Sequence, residues 1–220
     1  MCGRYTFFDV SKLYERFGVN DRIDWDRARY NVTPGSLMPV VLRQSPNSVK
    51  IMKWGLVPFW AKDPRIGYRM INARAETIES KPAFRKPFLA QRCLVPANGF
   101  FEWQHANGKQ PYYIELAGRP VFTMAGLYDR WTDAEGKETL SYTIITTAAN
   151  AMMTPIHNRM PVILTPEAET EWLDPTVTDK VRLKSILTQN ANDKLKAYPV
   201  SKEVNQTSND NSDLIKEIKI

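Results

Sequence analysis

The sequence is short of the residues on which several common chemistries depend. Its 220 residues include only two cysteines, too few for a disulfide framework or a zinc site, and only two histidines. No stretch approaches the roughly 20 apolar residues of a membrane span, and the first residues lack the apolar core of a signal peptide. We therefore expect a cytoplasmic protein that contacts no membrane and uses neither a metal nor another cofactor.

The composition is that of a folded chain. Hydrophobic residues make up 43% of it and charged residues 25%, and six tryptophans are present, which together argue against disorder. There is no internal repeat and no low-complexity segment. The length allows one or two domains, and nothing in the sequence forces a division. We expect a single domain over residues 1–220, and a monomer.

The charge pattern suggests a polyanionic partner. The net charge is +6 and the isoelectric point about 9.3. Solubility alone would explain a moderate positive charge. However, cationic residues recur beside aromatic ones, as in Lys53-Trp54 and Tyr68-Arg69, and this combination is typical of a groove for single-stranded nucleic acid. The pattern is suggestive without being specific.

The periodicity of apolar residues predicts short helices and many strands. Helices are predicted at 11–17, 165–172 and 181–187, with Asp9 or Ser11 capping the first, and a short helix or turn is predicted at 72–77. Strands are predicted at 37–43 and 49–54, forming a hairpin, and at 92–96, 99–104, 110–116, 121–128 and 140–147. The tail at 201–213 is polar and should be irregular. We predict an α+β fold with a mostly antiparallel, barrel-like sheet core and peripheral short helices.

The two cysteines have different surroundings. Cys93 lies in an apolar run and is expected to be an inert core residue. Cys2 would become the first residue if Met1 were removed, with a thiol and an α-amine on adjacent carbons. The amine, with an ordinary pKa near 8, could serve as the base for the thiol, as in N-terminal-nucleophile hydrolases. Alternatively, the two groups could condense with an aldehyde to a thiazolidine ring. Alone, a cysteine at position 2 is weak evidence for either use.

Three further residues are candidates for proton transfer or positioning. Glu102 lies in an aromatic strand whose alternation puts it on the same face as Phe100, so its pKa should be raised; a strand-edge carboxylate paired with an arginine is the alternative. His157 lies in a segment rich in loop-forming residues, whereas His105 is expected to be solvated at a hairpin turn. Asn72 could be a helix cap and nothing more.

Ordered motifs then give a specific resemblance. They are Met1-Cys-Gly-Arg4, Tyr30-Asn-Val-Thr-Pro-Gly35, Trp54-Gly-Leu-Val-Pro-Phe-Trp60, Ile71-Asn-Ala-Arg-Ala-Glu-Thr77, Gly99-Phe-Phe-Glu-Trp103, Ile156-His-Asn-Arg-Met-Pro161, and Pro199-Val-Ser201 with Val204-Asn205. The chain resembles the SOS-response-associated peptidase (SRAP) family, the abasic-site processing proteins. The resemblance runs essentially from end to end.

The resemblance implies a covalent reaction with damaged DNA. Such proteins use an N-terminal cysteine, matched here by Cys2, to form a thiazolidine crosslink with the ring-opened sugar of an abasic site in single-stranded DNA. Asn72 matches the asparagine that hydrogen-bonds this cysteine. Glu102 and His157 match residues thought to assist ring opening, Schiff-base formation and reversal. A lyase would let that Schiff base eliminate, whereas ring closure by the thiol prevents strand cleavage.

The resemblance also implies a DNA-binding surface. Arg4 and Arg74 match positions that contact backbone phosphate, and Arg159 is expected to join them. Phe59 and Trp60 match a pair of aromatics that stack at the DNA. Phe at position 59 departs from the tryptophan of other members and should stack more weakly.

The resemblance has two further implications, one for Pro34 and one for Met1. Pro34 matches a position near the DNA path. The peptidase label of the family would fit removal of Met1 by the protein itself, or release of the protein from DNA. The contrasting hypothesis is an N-terminal-nucleophile thiol peptidase or amidohydrolase with no role in nucleic-acid chemistry.

Overall fold

The fold consists mainly of strands, most of them antiparallel. The computed structural model describes residues 2–19, 23–25, 27–43, 47–104, 108–188 and 194–219. Within these residues the strands are β1 (Arg4–Phe7), β2 (Arg29–Val32), β3 (Leu37–Leu42), β4 (Ser48–Trp54), β5 (Asn72–Arg74), β6 (Arg92–Ala97), β7 (Gly99–Gln104), β8 (Gln110–Leu116), β9 (Phe122–Thr132), β10 (Glu138–Ala148), β11 (Arg159–Pro161) and β12 (Leu195–Pro199). The helices are α1 (Ser11–Phe17), α2 (Arg85–Ala90), α3 (Pro166–Leu173) and α4 (Lys180–Thr188), and 3₁₀ segments cover Pro64–Arg69, Lys202–Asn205 and Ser212–Ile215.

Five strands close into a small barrel. The order is β10-β4-β3-β6-β9, and β9 pairs again with β10, so the ring has no free edge. Every neighbouring pair is antiparallel except β10 with β4. The long strand β10 also pairs with the short strands β5 and β11. The predicted α+β class and barrel-like core are confirmed.

The other strands form an open antiparallel sheet in the order β12-β8-β7-β1-β2. Alternation along β7 gives the sheet two buried faces. Phe100 packs into the main core with the barrel, whereas Phe101 packs into a smaller cluster with Val204 and Leu214 of the C-terminal segment. The sheet therefore lies between the barrel on one side and the C-terminal segment on the other.

Aromatic side chains join the open sheet to the barrel. The hydroxyls of Tyr5, on β1, and Tyr142, on β10, are 2.7 Å apart and hydrogen-bonded. The Tyr5 ring also meets that of Trp54 edge to face, with centroids 5.2 Å apart. These contacts fix the start of the chain against the barrel, and this is what positions Cys2.

Most of the predicted elements are confirmed within a residue or two. All three predicted helices and the hairpin of β3 and β4 are present. The capping prediction for α1 was wrong, because no side chain caps it and the Ser11 hydroxyl donates to Asp9 instead. The 201–213 tail is not wholly irregular, since it contains a 3₁₀ segment and buries Val204.

One correction bears on the site. A short helix or turn was predicted at 72–77, but the first three of these residues form β5, and a turn follows them. Asn72 is therefore not a helix cap. Parallel pairing of β5 with Ile144–Thr146 of β10 supplies the hydrogen bonds that make these residues a strand.

Candidate functional site

Cys2 is a buried residue of the main core, although its neighbours in sequence are not apolar. Its Sγ lies 3.9 Å from the carbonyl oxygen of Arg4. Burial raises the pKa of the thiol well above its usual value, and the negative charge of the nearby Glu102 carboxyl raises it further. The thiol is therefore neutral at physiological pH in this state. Met1, whose removal is expected, and His105 both lie outside the described residues.

Asn72 holds the backbone of Cys2. Its Nδ2 donates a 2.9 Å hydrogen bond to the Cys2 carbonyl oxygen. The Asn72 Oδ1 is buried and has no hydrogen-bond partner among the described residues. The residue before Asn72 is held by two donors: Ile144 donates its N–H to the carbonyl of Ile71 at 3.1 Å, and the indole of Trp54 donates to the same oxygen at 3.0 Å. One polar atom of Asn72 thus remains available beside Cys2 in the described structure.

Glu102 is buried in an interior strand. Its strand, β7, lies between β1 and β8, so the alternative of a strand-edge carboxylate is wrong. The raised pKa expected from its aromatic surroundings is found, because burial raises the pKa of Glu102 to about 7. Both its acid and its base form are therefore populated near neutral pH, which suits a group that transfers protons.

His157 is oriented by the backbone of Arg159. Its Nδ1 lies 2.9 Å from the Arg159 nitrogen and 3.2 Å from the Arg159 carbonyl oxygen. The contact with the N–H is the shorter one and makes Nδ1 an acceptor, so the neutral ring carries its proton on Nε2. The backbone N–H of His157 donates to Met153 at 2.9 Å. The orientation of the ring is therefore set by its own loop.

The four candidates are brought together to different degrees. Cys2 contacts Asn72 directly, and the Glu102 carboxyl is close enough to act on the Cys2 thiol through its charge. His157 joins this group through a shared strand, because β10 pairs with both β5, which carries Asn72, and β11, which begins two residues after His157.

Arg159 is engaged by a carboxylate that the sequence analysis missed. Its two terminal nitrogens donate to Glu76 Oε1 and Oε2 at 2.6 and 2.9 Å, and one of them also donates to the carbonyl of Thr146 at 2.8 Å. The Arg159 side chain is only 15% exposed. The Glu76 pKa is lowered, mainly by this hydrogen bonding, so the carboxylate is ionised. Glu76 falls within a quoted motif, but its pairing with a residue 83 positions away leaves no signal in the sequence.

Arg4 is also occupied by the protein itself. Its guanidinium donates to Asn31 Oδ1 at 2.8 Å and to the carbonyl oxygens of Val204 and Asn205 at 2.6 and 3.3 Å, and it lies 6.0 Å from the ring of Trp103. Arg4 thus ties the start of the chain to the C-terminal segment. The sequence placed these residues in separate motifs and gave no sign that they meet.

Arg74 differs from Arg4 in being exposed to solvent, and Pro34 is partly exposed. Arg74 ends β5 with an exposed side chain and makes no ion pair with a described residue. Pro34 is half-exposed in a turn, next to Gly35, whose N–H donates to Trp54 at 2.8 Å. A positive φ of 89° at Gly35 favours glycine there. Both residues are available to a ligand.

Phe59 and Trp60 are among the most exposed large apolar residues, at 54% and 47%. The Nζ of Lys86 lies 4.6 Å from the centre of the Phe59 ring. Trp60 lines an open cleft of about 490 Å³, within the usual size range for ligand sites. Its other lining residues are Ala61, Lys62, Asp63, Arg65, Ile66 and Arg69. An exposed ring beside cationic groups can stack on a base while a phosphate is bound.

The segment that lines the cleft is closely packed at its base. Gly55 and Gly67 approach so closely that a Cβ at either would lie 2.6 Å from the carbonyl oxygen of the other. The Asp63 side chain accepts from the backbone N–H of Arg65 and pairs with its guanidinium, which neutralises that acid. The cations Lys62 and Arg69 have no carboxylate partner among the described residues, so the cleft is net positive.

The described residues contain neither a recognisable metal centre nor a helix that could span a membrane. No group of three or more His, Cys, Asp or Glu side chains is arranged to hold a metal ion. None of the described helices is both long and apolar enough to cross a membrane.

Comparison with known proteins gives the family. The sequence model described as SOS response associated peptidase (SRAP) matches residues 1–207. The chain is 43% identical over 221 residues to the abasic site processing protein YoqW of Bacillus subtilis, covering 98% of this chain and 99% of that protein. It is 36% identical to the abasic site processing protein HMCES of Xenopus tropicalis, covering 82% of this chain and 63% of that protein. The chain therefore belongs to the SOS response associated peptidase family.

A solved structure shares the whole fold. The crystal structure of a protein from Bacteroides thetaiotaomicron superposes with a TM-score of 0.91 at 32% sequence identity. The match covers 99% of this chain and 100% of that one. The barrel and the open sheet are thus the architecture of an experimentally determined relative.

Proposed function

We propose that this protein processes abasic sites in single-stranded DNA by forming a covalent thiazolidine crosslink through Cys2. The names of its relatives support the abasic-site role. The observation that carries the mechanism is the grouping around Cys2: Asn72 holds its carbonyl at 2.9 Å, and the buried Glu102, with a pKa of about 7, acts on its thiol. A reactive residue, a positioning group and a proton-transfer group thus occur together.

The reaction first requires hydrolysis of the peptide bond between Met1 and Cys2, which consumes one water and frees the α-amine. The amine then attacks the aldehyde carbon of the opened sugar, and loss of one water gives a Schiff base. The Cys2 sulfur adds to the same carbon, and the thiol proton passes to the nitrogen. The five-membered ring consumes the Schiff base before it can eliminate, so the DNA strand stays intact.

The state of the thiol matches this order of steps. Acyl transfer by an N-terminal-nucleophile peptidase needs a thiolate, but burial raises the pKa of the Cys2 thiol and keeps it neutral. Aldehyde capture begins instead with the amine, and the thiol adds only in the second step. The neutral thiol therefore supports capture, in which the amine attacks first, over a thiol peptidase acting on other proteins.

Glu102 and His157 are proposed to move protons. An abasic sugar is mostly a closed hemiacetal, so opening it requires a proton for the ring oxygen and a base for the hydroxyl. Glu102 can exist in either form near neutral pH. Because His157 Nδ1 accepts from the Arg159 N–H, its neutral ring carries the proton on Nε2, and this is the proton proposed to pass to the sugar.

The DNA is proposed to follow the exposed rings and cations. Phe59 and Trp60 offer stacking faces, and Lys62 and Arg69 supply positive charge in the adjacent cleft. Arg69 is three residues from Asn72, so their Cα atoms are at most about 11 Å apart. Bases that flank the lesion can therefore reach the cleft while the sugar is at Cys2.

Denaturing electrophoresis tests the proposal. The purified protein, shown by intact mass to lack Met1, is incubated with a single-stranded oligonucleotide whose one uracil has been removed by a glycosylase. We expect a band that survives SDS and has the mass of protein plus DNA less one water. The same oligonucleotide without glycosylase treatment should give none. Failure of the processed protein to form the band would refute the crosslink.

Two variants give the controls. Cys2→Ala retains an α-amine after processing, so it should form a Schiff base that borohydride traps but no stable adduct without reductant. Cys93→Ala removes the other buried thiol, which lies on β6 and has no α-amine beside it, and should leave the adduct yield unchanged. Equal loss of the adduct in both variants would point to disturbed folding rather than to Cys2 chemistry.

A further inference from the structure

The ion pair of Glu76 with Arg159 has the geometry of an occupied anion site. Both carboxylate oxygens accept from the guanidinium, at 2.6 and 2.9 Å, in a two-pronged contact. The planar fork of an arginine matches a carboxylate and a phosphate equally well. A DNA phosphate approaching Arg159 would therefore meet donors that already have an acceptor of the same kind.

The two partners are not equally fixed. The Arg159 side chain is 15% exposed and is also held by the carbonyl of Thr146 at 2.8 Å, whereas the Glu76 side chain is 47% exposed. If the carboxylate swings away, Arg159 keeps its second contact and its place beside His157. Glu76 can thus be displaced, while Arg159 stays in position to bind what replaces it.

We infer that Glu76 is a specificity-determining residue, whose carboxylate competes with DNA phosphate for Arg159 and so weakens binding to DNA that lacks a lesion. The inference rests on the proposed function, since it takes DNA to be the ligand. A protein with a net charge of +6 attracts any DNA strand, and an internal competitor reduces this non-specific attraction. An abasic strand is less affected, because the covalent bond retains it once it is captured.

A purely structural role is the alternative. Glu76 follows β5 and Arg159 begins β11, so the pair could serve only to join the two segments beside β10. Removal of an ion pair with only this structural role would lower stability and slow the reaction without strengthening any interaction with DNA. Competition predicts a gain of affinity instead, and the sign of the affinity change separates the two roles.

The test is binding of lesion-free DNA, which needs no crosslink chemistry. Fluorescence anisotropy of a labelled single-stranded oligonucleotide is measured over a range of salt for wild type, Glu76→Gln and Glu79→Gln. Glu79 is a matched control, because it also forms an ion pair, with Lys184 at 2.8 Å, and its substitution changes the net charge equally. We expect Glu76→Gln to bind about two- to fivefold more tightly than Glu79→Gln, the gain that release of one partly exposed ion pair allows.

The salt dependence and a second substitution complete the test. One additional phosphate contact in Glu76→Gln should steepen the slope of log affinity against log salt by about 0.7, whereas Glu79→Gln should keep the wild-type slope. In an Arg159→Ala background the effect of Glu76→Gln should vanish. Equal affinities and slopes for the two glutamine variants would overturn the inference.

Crosslinking is scored separately on the same preparations. If wild type forms no adduct, the proposed function fails, but the anisotropy result still decides whether Glu76 competes for Arg159. If wild type forms the adduct, Glu76→Gln should show a smaller preference for abasic over intact DNA in a competition assay. An unchanged preference together with tighter binding would also contradict the role in specificity.

Discussion

The amide Nδ2 of Asn72 donates a 2.9 Å hydrogen bond to the carbonyl oxygen of Cys2, across 70 positions of sequence. The contact fixes the peptide group that follows the Cys2 Cα, and so it limits how the substituents of that carbon can turn. Those substituents are the amine and the thiol that the proposed reaction joins to one aldehyde carbon. Asn72 therefore acts by orienting the nucleophiles rather than by taking part in proton transfer.

Replacing Asn72 by Asp tests this orienting role. The substitution keeps the shape of the side chain but puts an acceptor where a donor faces the Cys2 carbonyl. The rate of adduct formation at saturating DNA should fall about tenfold, which corresponds to loss of one hydrogen bond of about 1.4 kcal/mol in the transition state. The affinity for lesion-free DNA should fall only slightly, as expected from one added negative charge. Rates are read from gels after rapid quenching in SDS.

Asn47→Asp is the matched control. Asn47 Nδ2 also donates to a backbone carbonyl, that of Phe17 at 3.1 Å, and it lines a separate cleft between α1 and α3. Its substitution should affect stability without slowing the reaction. A similar loss of rate in both variants would mean that general destabilisation, and not the contact with Cys2, controls the rate.

Asn72 also shows where prediction from the sequence stops. The motif marked the residue as a candidate, but local pattern predicted a turn or short helix for the segment. A strand of three residues has too little periodicity to be recognised, and β5 exists only because β10 pairs with it 72 positions later, at Ile144. The ion pair of Glu76 with Arg159 could not be predicted either. It forms because β5 and β11 both pair with β10.

The raised pKa of Glu102 predicts how the stability of the protein depends on pH. Burial raises its folded pKa to about 7 from an ordinary value of 4.5, so between these pH values the folded protein holds a proton that the unfolded chain has lost. Stability must therefore decrease as pH rises from about 4.5 to 7 and level off above that. The expected contribution is about 3 kcal/mol from this group. Urea unfolding at pH 5 and pH 8 measures it.

Glu102→Gln should remove this part of the pH dependence. The amide cannot ionise, so the stability of the variant relative to wild type should be greater at pH 8 than at pH 5. The pH profile of adduct formation should also lose the inflection near 7 that wild type shows. Glu138→Gln, which alters an exposed ion pair with Arg130, should retain both features. An inflection that persists in Glu102→Gln would assign the titration to another group.

Unlike Asn72, Glu102 could be predicted from its neighbours. Alternation along an aromatic strand correctly put it on the face of Phe100 and indicated a raised pKa. The sequence could not show that Cys2 is buried, because the apolar residues around its thiol come from distant strands. The contacts of Arg4 within the protein could not be predicted for the same reason, since its partners Val204 and Asn205 are 200 and 201 positions away.

The exposed rings make a prediction about affinity. Stacking of a base on an aromatic side chain contributes about 1–3 kcal/mol, so Trp60→Ala should weaken binding to single-stranded DNA by roughly 5- to 150-fold. Phe59→Trp should strengthen binding, because it enlarges a ring that is 54% exposed. Val181→Ala, which removes an exposed apolar side chain on α4, is the control and should have no effect. Unchanged binding in Trp60→Ala would remove the ring from the proposed DNA path.

Arg4 and Arg74 were both expected to contact phosphate, but their surroundings now predict different effects. Arg4→Ala removes hydrogen bonds to Asn31 and to the carbonyls of the C-terminal segment, which should cost about 2 kcal/mol of stability. Arg74→Ala changes an exposed side chain and should alter stability by less than about 0.5 kcal/mol. Instead, it should make the slope of log affinity against log salt shallower by about 0.7, because one phosphate contact is lost.

Thermal unfolding and salt titration of the two variants, measured side by side, decide between these roles. For a chain of this length, a loss of 2 kcal/mol in Arg4→Ala corresponds to a midpoint lower by roughly 4–8 °C. Its adduct formation should also slow, because the Arg4 carbonyl lies 3.9 Å from the Cys2 Sγ and the start of the chain loses its side-chain contacts with the C-terminal segment. If Arg4→Ala kept the wild-type midpoint and lost salt dependence as Arg74→Ala does, Arg4 would be a phosphate ligand and its internal contacts secondary.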